Sequence, residues 1–430
     1  VMTRHRILLA LWALLLAVGG IRAQEALVVS GEVIDSATRQ PLPFAQLSLA
    51  TSHVGTAANG DGRFVLNIPS MLRNDTILFG YMGYATRKCP VWRLAGKDTV
   101  VALAAHAMQL AEVEIVGLTP EEVLRRVVAN IPANYGADSL VLTAYVRSQK
   151  YAGSRLAEFT EAIIEDLKTG YTIYPEKKER EKQVESNVPL LLRGRVISDT
   201  ALVNAMGEVG RSAGCLGCNF VHDFAEFYHN TVLDEKFFPD YRFRMEEVAG
   251  PAGEKLYRIS FDQRPGVKKR LWKGTLVVQA GDFALLSVSQ KPSPNGFAAY
   301  EKEKSRRPWF IDGQTGWIQE MPMLDWTVTY ARRGDRYALS TISVNNTLIF
   351  SHPSRQGRVT LSHRNEVVVT DISTAPEKVR GFRGDKSTGV SQRWDQLVGN
   401  GDEAFWEGYN YLPIEEKLHR AIDQLRHPTP

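Results

Sequence analysis

Three short stretches of this chain carry residue types that could do chemistry. His222, Glu226 and His229 stand four and three residues apart. On a helix that spacing brings all three to one face, where two imidazoles and a carboxylate could hold a metal. The same face reads more simply as a surface stripe beside an aromatic one of Phe220, Phe224, Phe227 and Tyr228. The triplet is therefore a weak metal candidate. Gly210-Arg211-Ser212-Ala213-Gly214 matches the Gly-x-Ser-x-Gly pattern of a nucleophile elbow. An elbow needs a strongly apolar strand before it and a helix after it. Asn204 to Val209 precede it and another glycine-rich step follows, so a loop is expected. Cys215 and Cys218 form a lone Cys-x-x-Cys. One such pair cannot complete a four-thiolate zinc site. A redox site would need the pair at a helix start, which Gly207, Gly210, Gly214 and Gly217 oppose. A local disulfide between Cys215 and Cys218 is the favoured reading; free thiols come next, and metal or redox chemistry last. No catalytic residue, cofactor or metal site is assigned.

Other suggestive features have plainer readings. Arg-Gly-Asp occurs at 333–335 and 383–385; the first reads as a hairpin turn. The basic runs Lys268-Lys269-Arg270 and Arg332-Arg333 read as solvated strand ends or turns. Trp309, Phe310, Trp317, Trp326, Trp394, Phe405 and Trp406 cluster late. Such rings can stack on sugars, but core packing is their commoner use.

The elements that must position these residues fall into a few units. A chain of 430 residues suggests about two or three domains. Arg4, His5 and Arg6 form a basic start, Ile7 to Val18 an apolar run, and Gly19, Gly20 and Ala23 a small-residue exit. The run is short for a membrane span, which takes ~20 residues, and it fits a secretory signal peptide over 1–23. Without Arg4, Arg6 and Arg22, 49 basic residues face 48 acidic ones. That balance gives no footprint for nucleic acid. No later stretch is apolar and long enough for a transmembrane helix. The chain has three cysteines, too few for a disulfide scaffold.

Residues 24–106 read as short strands with turns. Phe64, Leu66 and Ile68 alternate with Arg63, Val65 and Asn67, which buries one face of a strand. Asn59-Gly60-Asp61-Gly62 is a turn; as a calcium loop it lacks spaced acidic ligands. Five separated elements occur in order: Gly31 to Asp35, Pro41 to Ala45, Gly55-Thr56, Asn59 to Phe64, and Gly80 to Tyr84. Together they resemble the carboxypeptidase regulatory-like domain. The resemblance implies a transthyretin-like β-sandwich of roughly seven strands. It also implies an accessory module of exported Bacteroidetes proteins, not a catalyst. Metallocarboxypeptidases hold zinc on two His and one Glu, opening with His-x-x-Glu. No such zinc-ligand motif is read here, so the regulatory domain is expected without its enzyme.

A connector at 107–118 leads to a second unit, 119–430. Thr119, Pro120 and Glu122 are a capping box with proline at the first helical position. Tyr241 to Met245, Tyr257 to Phe261, Leu276 to Val278, Phe283 to Val288, Trp326 to Tyr330 and Tyr337 to Val344 alternate as antiparallel strands. A helical tail with Ile414, Leu418, Ala421, Ile422 and Leu425 on one stripe opens at Pro413. In rhythm, the Gly274 to Gln279 and Phe283 to Val288 pair resembles the half-barrel of periplasmic lipoprotein carriers. The fold class is mainly β: the sandwich, then an α+β domain on a large antiparallel sheet with flanking helices.

The expected function is a non-catalytic cell-envelope protein of the periplasm or outer membrane. The sandwich would dock or assemble, and the sheet domain would bind a peptide, glycan or lipid-like partner. Such partners include an envelope protein, a glycan or an outer-membrane component. The alternatives are a periplasmic hydrolase acting through the second domain and an accessory protein to an outer-membrane barrel. Protein from the envelope fraction should begin at Gln24 on N-terminal sequencing; an intact Met2 start in the cytoplasm would refute export.

Overall fold

Period-two alternation builds both units of the protein. The computed structural model describes residues 26–105, 117–172, 189–205, 223–250, 253–296, 318–352, 355–383, 406 and 409–427. Residues 1–23, expected above as a signal peptide, and most of the expected 107–118 connector lie outside these residues. The sandwich has seven strands in two sheets. β1 (Ala26–Asp35) lies between β4 (Arg63–Pro69) and β7 (Asp98–Leu103). Against them stand β3 (Gly55–Ala57), β2 (Gln46–Leu49), β5 (Thr76–Gly80) and β6 (Arg87–Pro90), in that order. Phe64, Leu66 and Ile68 point inward from β4 and meet Leu47, Ile77 and Phe79. The Phe64 and Phe79 rings meet edge-on at 5.6 Å.

The second unit is one ten-stranded antiparallel sheet, ordered β10-β9-β8-β17-β16-β15-β14-β13-β12-β11. Its strands are β8 (Leu140–Ala152), β9 (Arg155–Lys168), β10 (Leu190–Ser198), β11 (Tyr241–Ala249) and β12 (Lys255–Gln263). Then come β13 (Trp272–Gln279), β14 (Leu285–Pro292), β15 (Ile318–Arg333), β16 (Arg336–His352) and β17 (Arg355–Ser373). The protein is thus mainly β. Short helices flank the sheets: α1 (Val91–Leu94), α2 (Pro120–Ala129), α3 (Ile131–Tyr135), α4 (Thr200–Ala205), α5 (Pro376–Gly381) and α6 (Glu416–Arg426). The capping box forms as expected: Glu122 N donates to Thr119 Oγ1 at 3.2 Å, and Thr119 N donates to Glu122 Oε2 at 2.7 Å. Among the described residues no helix is long and apolar enough to cross a membrane.

The sheet is covered on both faces. On one, Val123, Leu124 and Val127 of α2 and the 223–238 segment pack on Leu142, Val146, Val328 and Val344. On the other, Ala57 of the sandwich joins Tyr145, Ile163 and Val368 of the sheet with Trp406 and Leu412. Helix α6 lies on β9 through Leu418, Ile422 and Leu425. The tail was expected to turn helical at Pro413, but its helix starts at Glu416. The residues between are held extended by other partners. Pro413 O accepts from Asn59 Nδ2 at 3.0 Å, and the Glu415 carboxylate is taken by Gly60 N and Arg147.

Two buried ionic clusters pin these layers. Arg147 is fully buried. Its guanidinium donates to Tyr145 Oη at 2.9 Å, Glu415 Oε2 at 3.0 Å, Glu161 Oε1 at 3.4 Å and the Leu412 carbonyl, with Glu366 Oε2 at 3.8 Å. Burial opposes the charge, but Tyr145, Glu161, Glu366 and Glu415 outweigh it and hold the pKa above the ordinary arginine value. On the other face Lys168 pairs with Glu226 and, at 3.4 Å, with Asp223. Asp223 also accepts from Tyr171 at 3.0 Å and Tyr330 at 2.8 Å.

Phe64→Ala should cost roughly 3–5 kcal/mol in denaturant unfolding, the usual range for emptying a buried phenylalanine site. A loss below about 1 kcal/mol would contradict its place in the core. A second expectation concerns Asp166, beside Lys168. Burial pushes its carboxyl up to about 7, with Glu226 and Asp223 adding to the rise and Lys168 opposing it. A pKa raised in the folded state means stability that is full at acid pH and lost as pH rises through about 7. Asp166→Asn should therefore flatten the fall in stability between about pH 4 and 8 and gain about 1 kcal/mol or more at the alkaline end. Parallel pH profiles of the two proteins would exclude this.

Candidate functional site

A cavity of about 560 Å³ opens where the sandwich meets one end of the large sheet. His53 comes from the turn between β2 and β3. Tyr135 ends α3, and Leu140 begins β8. Arg333 ends β15, while Arg336 and Tyr337 begin β16. Ile372 ends β17, and Val379 and Arg380 belong to α5. Tyr135 is buried, its ring edge-on to Tyr330 at 5.2 Å and its hydroxyl donating to Leu285 O at 2.5 Å. The wall thus mixes aromatic and aliphatic side chains with three guanidinium groups and the carboxylates of Asp138 and Asp335.

Two glycines make the arrangement possible. A Cβ on Gly55 would stand 2.6 Å from Leu47 O and 2.9 Å from Arg333 Nη1. Its bare backbone lets the Arg333 guanidinium lie against the sandwich. Gly136, at φ 89°, ends α3; a Cβ there would stand 2.2 Å from Arg336 Nη1. Both arginines cross positions where any side chain would collide.

Arg333 corrects a sequence expectation. The Arg332-Arg333 run was expected as a solvated turn. The hairpin exists, with Gly334 at φ 70°, but Arg333 is only 3% exposed. It donates to the His53 carbonyl and, at 2.9 Å, to Val369 O. It turns inward because the sandwich covers this face of the sheet. Burial pushes its pKa down to about 10, with Asp371 opposing the shift; at neutral pH it stays cationic.

Of the metal candidates, Glu226 and His229 are described, and from Asp223 to His229 the chain runs in turns and not as a helix. Glu226 is bonded by Lys168, and His229 Nδ1 lies 4.0 Å from Asp234. His222, Ser212, Cys215 and Cys218 lie outside the described residues, as do Trp309, Phe310, Trp317, Trp394 and Phe405. Trp326 stacks near Trp272 at 4.5 Å, and Trp406 packs near Tyr145 at 6.3 Å.

One His-x-x-Glu pair does occur, against the expectation above: His363 and Glu366. Both lie on β17, where residues three apart point to opposite faces. The register sets His363 beside Lys150 and Glu366 beside Arg147, so the two cannot share a metal. Burial, with Lys150 adding to it, pushes His363 down to about 3, which keeps it neutral.

Nothing in the sequence pattern marked His53, Tyr135, Arg336, Tyr337 or Arg380. Their nearness is set by which hairpins share one end of the sheet.

Comparison with known proteins bears on the first unit. No curated protein matches the chain. Among solved structures, a LolA superfamily protein of Nitrosomonas europaea is 14% identical, with 61% of this chain and 97% of that one covered and a TM-score of 0.19. A lipovitellin structure, titled for lipid–protein interactions, is 8% identical, with 60% and 27% covered and a TM-score of 0.19. At such scores neither likeness carries an argument. Residues 29–115 match the family model of the CarboxypepD_reg-like domain, and the seven-stranded sandwich is that domain.

Proposed function

We propose that the protein is an exported, non-catalytic component of the cell envelope. Its second unit binds a lipid-like partner in the junction cavity, and the sandwich serves as a fixed wall and docking module. The observation that carries this reading is the cavity itself. At about 560 Å³ it falls within the range of small-molecule sites, roughly 300–1,000 Å³. Its wall is built by both units, from His53 on one side to Ile372 and Val379 on the other. Its apolar part, from Tyr135, Leu140, Tyr337, Ile372 and Val379, suits an apolar body.

The ionisable clusters point the same way. A hydrolase needs an acid, base or metal set that converges on an open site. The Lys168 and Arg147 groups converge, but on each other, and Asp223, Glu226 and Glu161 are at most 2% exposed. Their partners tie layers together.

The neutral dye N-phenylnaphthylamine is the direct probe. It should bind saturably to the intact protein, and Thr374→Trp, at an exposed residue of the lining, should block it without changing the melting temperature. Binding that never saturates, or that ignores Thr374→Trp, would overturn the reading.

A further inference from the structure

The buried guanidinium of Arg333 is unfinished in a way that Arg147 is not. Both side chains are shielded from solvent. Arg147 faces three carboxylates, from Glu161, Glu366 and Glu415. Among the described residues Arg333 has only neutral acceptors, the carbonyls of His53 and Val369. Its Nε has no hydrogen-bond partner. Asp371 acts on it only from beyond ion-pair distance. A buried cation without an anion is costly, because neutral dipoles replace water only in part.

A second group repeats the pattern. His53 Nδ1 is also buried without a partner, and His53 and Arg333 line the same cavity. Arg336 and Arg380 add two more cations to the lining, against Asp138 and Asp335. Asp138 is drawn only loosely to Arg336, at 3.5 Å with both side chains largely in water. The lining therefore sets three guanidinium groups against two carboxylates, beside apolar surface from Tyr337, Ile372 and Val379.

We propose that the cavity takes an amphipathic oxyanion, a carboxylate or phosphate on an apolar chain, whose head group is held by the Arg333 and His53 side chains of the lining. Arg336 and Arg380 add attraction from the lining. This rests on the cavity being the ligand site and adds the charge of the ligand. The apolar tail would lie along the tyrosine and aliphatic wall.

Calorimetric titration of the full protein with dodecanoate, dodecyl phosphate, dodecanol, dodecyltrimethylammonium and inorganic phosphate, all below micelle formation, tests this. At least one of the two anionic chains should bind about tenfold or more tighter than dodecanol. The ammonium should bind weakest of the chains. Inorganic phosphate should bind far less tightly than dodecyl phosphate. Comparison of dodecanoate with dodecyl phosphate identifies the head group. Arg333→Gln should weaken binding of the anionic chains several-fold more than binding of dodecanol. Because Arg333 also ties His53 and Val369, a second variant, Arg336→Gln with Arg380→Gln, covers the case in which Arg333→Gln does not fold. That variant should reduce the preference several-fold with an unchanged melting temperature. Dodecanol binding as tightly as both anions would overturn the charge and leave the apolar site standing. Inorganic phosphate binding as tightly as dodecyl phosphate would overturn the amphipathic ligand. Loss of saturable dye binding as well would overturn the site itself.

Discussion

A buried guanidinium is costly without anionic partners, and Arg147 obtains its partners from four parts of the chain. Tyr145 and Glu161 come from β8 and β9, Glu366 from β17, and Leu412, Pro413 and Glu415 from the tail. Removal of any one carboxylate would leave buried charge uncompensated, which costs far more than the pair contributes when complete. The strand order meets this demand: β17 lies between β16 and β8, which sets Glu366 beside Arg147. The tail must cross the seam in extended form before α6 begins, because Leu412 and Pro413 carbonyls and the Glu415 carboxylate are all committed.

That crossing fixes the sandwich as well. The extended tail pairs with β4 through Asn410 and Tyr409: Asn67 N donates to Asn410 Oδ1 and Asn67 Nδ2 to Tyr409 O, each at 2.6 Å. Gln46 of β2 reaches Thr329 of β15 at 2.8 Å. The two units share a core and hydrogen bonds at several points, as packed domains do when their relative position matters. The cavity exists only because they are held this way, since one unit supplies His53 and the other supplies Arg333.

Much of this was legible in the sequence where burial is one-sided. β4, β11, β12 and β15 alternate cleanly, and Phe64 falls in the core. The Thr119 capping box declares itself through local chemistry alone. β8 and β9 hide themselves. They are buried on both faces, and Arg147, Lys150, Glu158, Glu161, Asp166 and Lys168 break up their apolar pattern. A charge in sequence predicts exposure unless its partner is known, and these partners lie up to 268 residues away. The same blindness affected Arg333, which stands in a hairpin that a solvent-facing turn would resemble. From Asp223 to His229 the chain runs in turns despite its helical spacing, and its contacts with Lys168 and Tyr330 are what hold it there.

The turn from Asn59 to Gly62 shows why family-like motifs can hold more than local shape. A hairpin turn needs only residues that tolerate its backbone, and exposed polar side chains would serve. Asn59 is instead fully buried. Its Oδ1 accepts from Asp61 N and Arg63 N, which closes the turn, while its Nδ2 reaches out to Pro413 O. Gly60 N donates to Glu415, the same carboxylate that binds Arg147. One acid thus bridges the sandwich turn and the buried guanidinium of the sheet. Gly55, in the preceding motif element, plays the matching part at the other end by letting Arg333 approach β3. The motif residues that shape the sandwich are also those that seat it, so the docked arrangement is written into the same positions as the fold.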